Sequence, residues 1–308
     1  MRITRRHLQV SLGSLWLLDG ALQCQPIMFS GAFAHHIVAP ADVGQLSVLA
    51  EPLQVVRALV STQPALANGA FALIQILLGV GLVTRRYNRA ALAASIVWAL
   101  SIWIVGEGLG GLGVGATLLT GAPGAALLYA VIAVLAWPTR ARQGDDRPSW
   151  LALPAWCTLW LVGAGLQVFH GNDSSTALTM MLRGAQSNAP GWIAGIDHHL
   201  VRIGIPNWTV FVVIAVYVLV AIWALVPGWT RQLSIGIGVS LSLISWLLFQ
   251  GFGDLTSGQS TDPNSGPLIV LLALAVVGAY SREFHQAPVD TLAPREPMAS
   301  MGRVGISV

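Results

Sequence analysis

The sequence contains no lysine: all sixteen of its basic residues are arginine. That one-sided choice reads as coding bias, as in a GC-rich genome, and carries no chemistry of its own. Charge is scarce as well, at 9% of residues, while 55% are hydrophobic. Soluble domains carry about a quarter of their residues as charges, so this composition excludes a soluble globular chain. Cysteine is nearly absent. Cys24 and Cys157 sit in apolar stretches and form neither a disulfide framework nor a Cys-x-x-Cys pair, so they assign no redox compartment. There is no Walker motif, dinucleotide fingerprint, haem-binding pair at workable spacing or hydrolase elbow. Those absences remove the commonest nucleotide, haem and acyl-transfer chemistries. A net charge of +3 in a soluble domain would raise the question of nucleic acid. Here membrane topology accounts for the arginines better, and no nucleic-acid partner is expected.

What is abundant is apolar length. The runs 8–25, 67–84, 90–106, 121–137, 150–168, 208–226, 232–249 and 266–280 approach the ~20 residues that carry a helix across a bilayer. Several fall short of it, and the fourth and eighth also read as partly inserted helices. Suppose the N-terminus is cytoplasmic. Arg2, Arg5 and Arg6 then precede the first run, and Arg85, Arg86 and Arg89 lie between the second and third. Arg140, Arg142 and Arg147 follow the fourth, Arg231 separates the sixth and seventh, and Arg282, Arg295 and Arg303 follow the eighth. All of these fall on one side, which the positive-inside tendency assigns to the cytoplasm. Only Arg57, Arg183 and Arg202 lie outside. The expected fold is an all-α polytopic membrane bundle of about eight transmembrane helices. It would sit in a bacterial plasma membrane, with the lipid bilayer as its first partner and both termini cytoplasmic.

A rival reading exists for the N-terminus. "TRRHLQV" resembles a twin-arginine export signal, and "AFA" at 32–34 resembles a cleavage site that would leave His35 as a copper-binding N-terminus. Asp19 and Gln23 are unusual inside a signal's apolar core, and the run 8–25 has an internal counterpart that no signal peptidase removes.

That counterpart belongs to a duplication. "LWLLDGALQ" at 15–23 recurs as "LWLVGAGLQ" at 159–167, matching Trp16 to Trp160 and Gln23 to Gln167. "IWIVGEGLGGL" at 102–112 recurs as "SWLLFQGFGDL" at 245–255, and Pro123 pairs with Pro267 at nearly the same offset. Arg57 and Arg202 align between them. Two parallel four-helix repeats follow, because an even number of spans brings the second copy into the membrane in the same direction as the first. The expected boundaries are 1–140 for the first repeat, 141–149 for a cytoplasmic linker and 150–282 for the second repeat. Residues 283–308, rich in proline and small residues, read as a disordered cytoplasmic tail. The long connections 26–66 and 169–207 carry amphipathic stretches suited to the membrane interface.

The segment "IQILLGVGLVTRRYNRAALAAS" resembles the DoxX-like membrane family, in which a Leu-Leu-Gly-x-Gly-Leu run meets a Thr-Arg corner and an alanine-rich span. Residues 77–95 carry that pattern, and in the second copy only Thr230 and Arg231 keep the corner. The resemblance implies a four-helix membrane unit, in some members linked to quinone-dependent sulfur oxidation or oxidant defence. It therefore implies quinone as a cofactor and a membrane oxidoreductase as a partner. Asp19 and Gln23 stand in a part of span one where such proteins often carry a lysine.

Among single residues, Asp19 comes first. A carboxylate inside a span costs ~2.5–3.5 kcal/mol on insertion scales, so such groups usually face a cavity or partner. Trp16, Asp19 and Gln23 share one helix face. Glu107 and Asp254 occupy the outer ends of the third spans, opposite Gln250 and Gly111 respectively in the other copy, where they either converge on one external vestibule or cap loops. His35, His36, His198 and His199 lie on the external side with Met28, Met180, Met181, Asp173 and Asp197. Their donor types suit copper or zinc, but adjacent histidines point to different faces of a helix and none has metal-site spacing. Three functions stay open: a quinone-linked redox subunit, a small-solute or proton-coupled permease, and a non-catalytic membrane scaffold.

Overall fold

A computed structural model describes residues 3–31, 47–138, 146–187 and 189–280. The tail 283–308, most of the linker, and His35 and His36 lie outside the described residues. Among those described, every regular element is helical. The first half contains α1 (Arg5–Leu22), α2 (Ser47–Thr62), α3 (Pro64–Val83), α4 (Asn88–Val105) and α5 (Ala125–Leu135). The second contains α6 (Ala152–Val168), α7 (Ser175–Gln186), α8 (Gly191–Ile203), α9 (Trp208–Leu225), α10 (Trp229–Leu248) and α11 (Ser265–Ala279).

Local chemistry sets the ends of these helices. Thr4 opens α1 with a capping box: its hydroxyl accepts from the His7 N–H, and His7 Nδ1 accepts from the Thr4 N–H at 3.1 Å. Pro64 starts α3, where its missing N–H costs nothing. Ser174 caps α7 by accepting from the Ala177 N–H at 3.1 Å. At its C-terminal end α3 exposes carbonyls that Arg6 takes up. The guanidinium donates to Leu82 O at 2.9 Å and also to Val83 O, placing positive charge at the negative end of the helix dipole.

The chain runs up and down. The start of α1 lies by the end of α3, and Asn68 at the start of α3 donates to Gln23 O just beyond the end of α1 at 2.8 Å. Trp103 near the end of α4 donates to Pro123 O just before α5 at 2.7 Å, and Gln9 on α1 donates to Ala136 O at the end of α5 at 2.9 Å. The second half follows the same course. Cys157 on α6 donates to Ala221 O on α9 at 3.4 Å, and Trp246 near the end of α10 donates to Pro263 O at 2.7 Å. Tyr280 returns to the start of α6, donating to Trp150 O at 3.3 Å. Arg5 N–H meets Asp146 O at 2.7 Å, so the N-terminus, the end of the linker and the end of α11 gather at one end of the bundle.

Four helices, α3, α4, α9 and α10, are long and apolar enough to cross a membrane. They are also the outer helices. Leu73 and Leu77 on α3, Val97 on α4, Phe211 and Ile222 on α9, and Ile244 on α10 are exposed, an apolar surface that only lipid or protein would cover. The inner helices are shorter. α5 and α11 pack against each other and bury residues on every side, as expected of a helix that is hydrophobic all round.

The run 121–137 yields helix only from Ala125. The preceding residues fold into turns, with Ala122 N–H donating to Thr117 O at 2.9 Å and Gly124 N–H to Gly121 O at 2.9 Å. Leu118, Leu119 and Ala122 are buried there. Irregular backbone at that depth is tolerable where protein surrounds it and its polar groups are paired.

Candidate functional site

Where α1 ends and α5 begins, at the end of the bundle opposite Arg6 and the Arg85–Arg86 corner, lies a cavity of about 310 Å³. α1 supplies Trp16, Asp19 and Gln23, spaced by three and four residues on one face and each almost fully buried. Two glycines bring α1 close to α3: a Cβ on Gly79 would stand 2.8 Å from Gly13 O. α3 supplies Phe71 and Gln75, one turn apart. α4 adds Trp98 and Ile102, with Glu107 just beyond its end. α5 contributes its first turn and Tyr129. Val56 and Val60 of α2 form an apolar side, and Thr261 and Asp262 reach in from the second half of the chain.

Several of these groups are anchored. Trp16 Nε1 donates to Ser95 Oγ at 2.8 Å, and its ring lies 4.3 Å from that of Tyr129. The Tyr129 hydroxyl faces the Asp19 carboxyl. Glu107 Oε1 accepts from the Ala126 N–H at 2.9 Å, so this carboxyl caps the N-terminus of α5. Asp262 is held by the Asn264 N–H at 2.7 Å and the Thr261 hydroxyl at 3.0 Å. Phe71 and Trp98 form a second aromatic pair, with centroids 5.5 Å apart.

Other polar atoms are left open. Asp19 Oδ1, Gln23 Oε1, Gln75 Oε1 and Glu107 Oε2 are buried acceptors without a hydrogen-bond partner, and Trp98 Nε1 is a buried donor without one. Each such group costs about 1–3 kcal/mol when left unmade, so several around one cavity call for something that fills it. Burial, and then the charge of Asp262, push the Glu107 carboxyl up to about 8. Asp262 is itself raised by burial, against the pull of the two donors that hold it.

The predicted residues divide. Trp16, Asp19, Gln23 and Glu107 come together in the cavity; Gln250 and Asp254 do not line it. Gln250 is a buried tie between halves, donating to Leu119 O at 3.2 Å and accepting from the Ser265 hydroxyl at 3.1 Å. Asp254 ends a tight turn, Gly251–Asp254, in which Phe252 and Gly253 take left-handed conformations. Glu107 therefore has a different acidic neighbour from the one its sequence match suggested: Asp262, from the loop beyond the turn. His198 and His199 are exposed on α8, and no group of three potential metal ligands occurs among the described residues. Asp197 beside them is fully buried with both oxygens unpartnered, and burial raises it to about 6.

Asp262, Gln75, Trp98 and Tyr129 complete the site, to which the sequence reading did not assign them. Gln75 was findable, since a carboxamide inside "FALIQILL" obeys the same rule as Asp19. Asp262 gave no signal, because an acid in a loop normally meets water.

A second cavity, of about 330 Å³, lies in the other half and is lined by Leu119 of the first half together with Leu178, Leu241, Ile244 and Phe249. Each half thus lends a loop to the other's cavity. The second lacks acids: Gly163 stands at the position that the sequence match pairs with Asp19, and Leu118 packs against it.

No known protein family matches the sequence, and neither does any curated protein or solved structure. The resemblance over residues 77–95 rests on those residues alone, and the site rests on its geometry.

Proposed function

We propose that this chain is an integral membrane protein that binds a small amphipathic solute in the acid-lined cavity in exchange for protons, as a proton-coupled permease does. One observation carries the reading. Asp19, Glu107 and Asp262 come from three separate elements to a single cavity, and no arginine or histidine is among the described residues that line it. Carboxyls crowded into a low-dielectric space cannot all ionise, and Glu107, pushed up to about 8, holds its proton near neutral pH. A ligand that competes for the carboxyl oxygens displaces them.

The architecture that would carry this is two parallel DoxX-like quartets, with eight crossings and both termini cytoplasmic. In the first quartet α1, α3, α4 and α5 cross, and in the second α6, α9, α10 and α11. Of these, α5 and α11 are mostly buried within the bundle. Recurring detail supports the duplication, with Pro263 rather than Pro267 as the counterpart of Pro123: Trp103 to Pro123 O and Trp246 to Pro263 O are the same bond at the same 2.7 Å. Arg6, Arg85 and Arg86 lie at the end opposite the acids, which supports an outer-side cavity.

A quinone is the second reading, favoured by one observation: Trp98 Nε1 is an open buried donor that suits a quinone carbonyl. A redox role beside a partner oxidoreductase would follow, and quinone co-purifying with the protein in mild detergent would favour it.

Proteoliposomes containing a pH-sensitive dye test the permease reading. Solute added outside is expected to drive proton movement that Asp19→Asn abolishes. Proton movement that survives D19N unchanged contradicts the role given to this residue.

A further inference from the structure

The unmet hydrogen-bonding capacity of the cavity is lopsided. Four acceptor oxygens, on Asp19, Gln23, Gln75 and Glu107, are buried without a donor, against two groups that can donate, the Trp98 indole N–H and the Tyr129 hydroxyl. Asp19, Gln23 and Gln75 are each less than 5% exposed, so water reaches them poorly. Around these acceptors stand two aromatic pairs, Trp16 with Tyr129 and Phe71 with Trp98. A ligand that satisfies this inventory brings several N–H donors, a positive charge and a small apolar body.

We infer that the cavity binds an organic ammonium ion, with its N–H groups on the Asp19, Gln23, Gln75 and Glu107 oxygens and its apolar part against the aromatic pairs. The inference rests on the solute-binding reading above and names the class of solute. Ammonium-to-carboxylate bonds are charge-assisted and about twice as strong as neutral ones. Ring faces add cation–π attraction, which is strongest where water is excluded. A volume of about 310 Å³ sits at the small end of ligand pockets, which span about 300–1,000 Å³. It suits an arylalkylamine better than a lipid or a peptide. The exchange balances: the ammonium enters as a cation, a carboxylic acid of the cavity loses its proton to solvent, and the bound state is an ion pair. From α1 Asp19 takes part, from α5 Tyr129, from beyond α4 Glu107 and from the 261–262 loop Asp262, while α2 presents Val56 and Val60.

The test uses the full-length protein in detergent and three probes: phenethylammonium, its neutral counterpart 2-phenylethanol, and decylubiquinone. Binding is read from tryptophan fluorescence, since Trp16 and Trp98 line the site, and by calorimetry in buffers of different ionisation enthalpy. Phenethylammonium is expected to bind about tenfold or more tightly than the alcohol. Its binding is expected to release about one proton per ligand and to strengthen as pH rises toward about 8. D19N and E107Q should each weaken it about tenfold, while Ser245→Ala in the second cavity leaves it unchanged. Equal binding of alcohol and ammonium, binding without proton release, or binding of decylubiquinone alone overturns the ammonium inference and leaves a ligand cavity standing. If no probe binds and a hydrophobic carbodiimide modifies neither Asp19 nor Glu107, the solute-binding reading falls as well.

Discussion

Glu107 shows how one side chain serves two masters. Its Oε1 closes the N-terminus of α5 while its Oε2 is buried without a donor. The first role favours the ionised form through the helix dipole, and the second, with Asp262 nearby, favours the proton. Burial wins, because Glu107 is pushed from 4.5 to about 8. The sign of the linkage follows. An unfolded chain gives up this proton near 4.5, so the stability contributed by the protonated carboxyl is whole below that pH and is lost as pH rises through about 8. Thermal unfolding in detergent is expected at lower temperature as pH climbs across that interval, with E107Q flattening the decline. A wild-type melting temperature that stays level over the same interval contradicts the burial assigned to Glu107. The sequence showed this acid but not its environment, since whether a carboxyl at a helix end meets water or protein depends on a loop far along the chain.

Helix contacts make the first half tighter than composition suggests. α1 crosses α3 through Gly13, Gly20 and Gly79, the small-residue mode of packing that membrane helices favour. A side chain on Gly79 would run into Leu17 and stand 2.8 Å from Gly13 O, so Gly79→Val must push the two helices apart. Overpacking of this kind costs about 1–3 kcal/mol. The expected outcome is a clear fall in melting temperature in detergent, together with weaker binding, because Asp19 on α1 and Gln75 on α3 separate. Gly165→Ala in α6 is the control, as nothing lies within 4 Å of the added atom. If both variants melt alike, α1 and α3 do not pack as described. Helix boundaries followed the apolar runs closely except before α5, where turns replace helix. Hydropathy could not separate these, because Leu118, Leu119 and Ala122 are buried whether helical or not.

At the scale of the whole molecule, the internal match led to Gln250 and Asp254 by analogy with Glu107, whereas the geometry brings Asp262. Convergence of the two copies' acids on one vestibule would have joined Glu107 to Asp254, whereas the halves exchange loops: Asp262 reaches the first cavity and Leu119 the second. A lone sequence does not encode that exchange legibly. Arg231 is a similar case. Its sequence places it at a polar corner, yet it is buried, donating to Ala224 O at 2.7 Å with its guanidinium 4.6 Å from the Tyr280 ring. The apolar runs and the matched tryptophans were legible because they depend only on local composition and spacing.

The proposed bundle crosses a membrane with its acids on the outer side and Arg6, Arg85 and Arg86 on the inner. Single cysteines at Arg86 and Asp173, both exposed, introduced after replacing Cys24 and Cys157 with serine, test this directly with a membrane-impermeant maleimide. Intact cells should label Asp173→Cys at once and Arg86→Cys only after permeabilisation. Labelling of both from the same side, or of Arg86→Cys in intact cells, would contradict it.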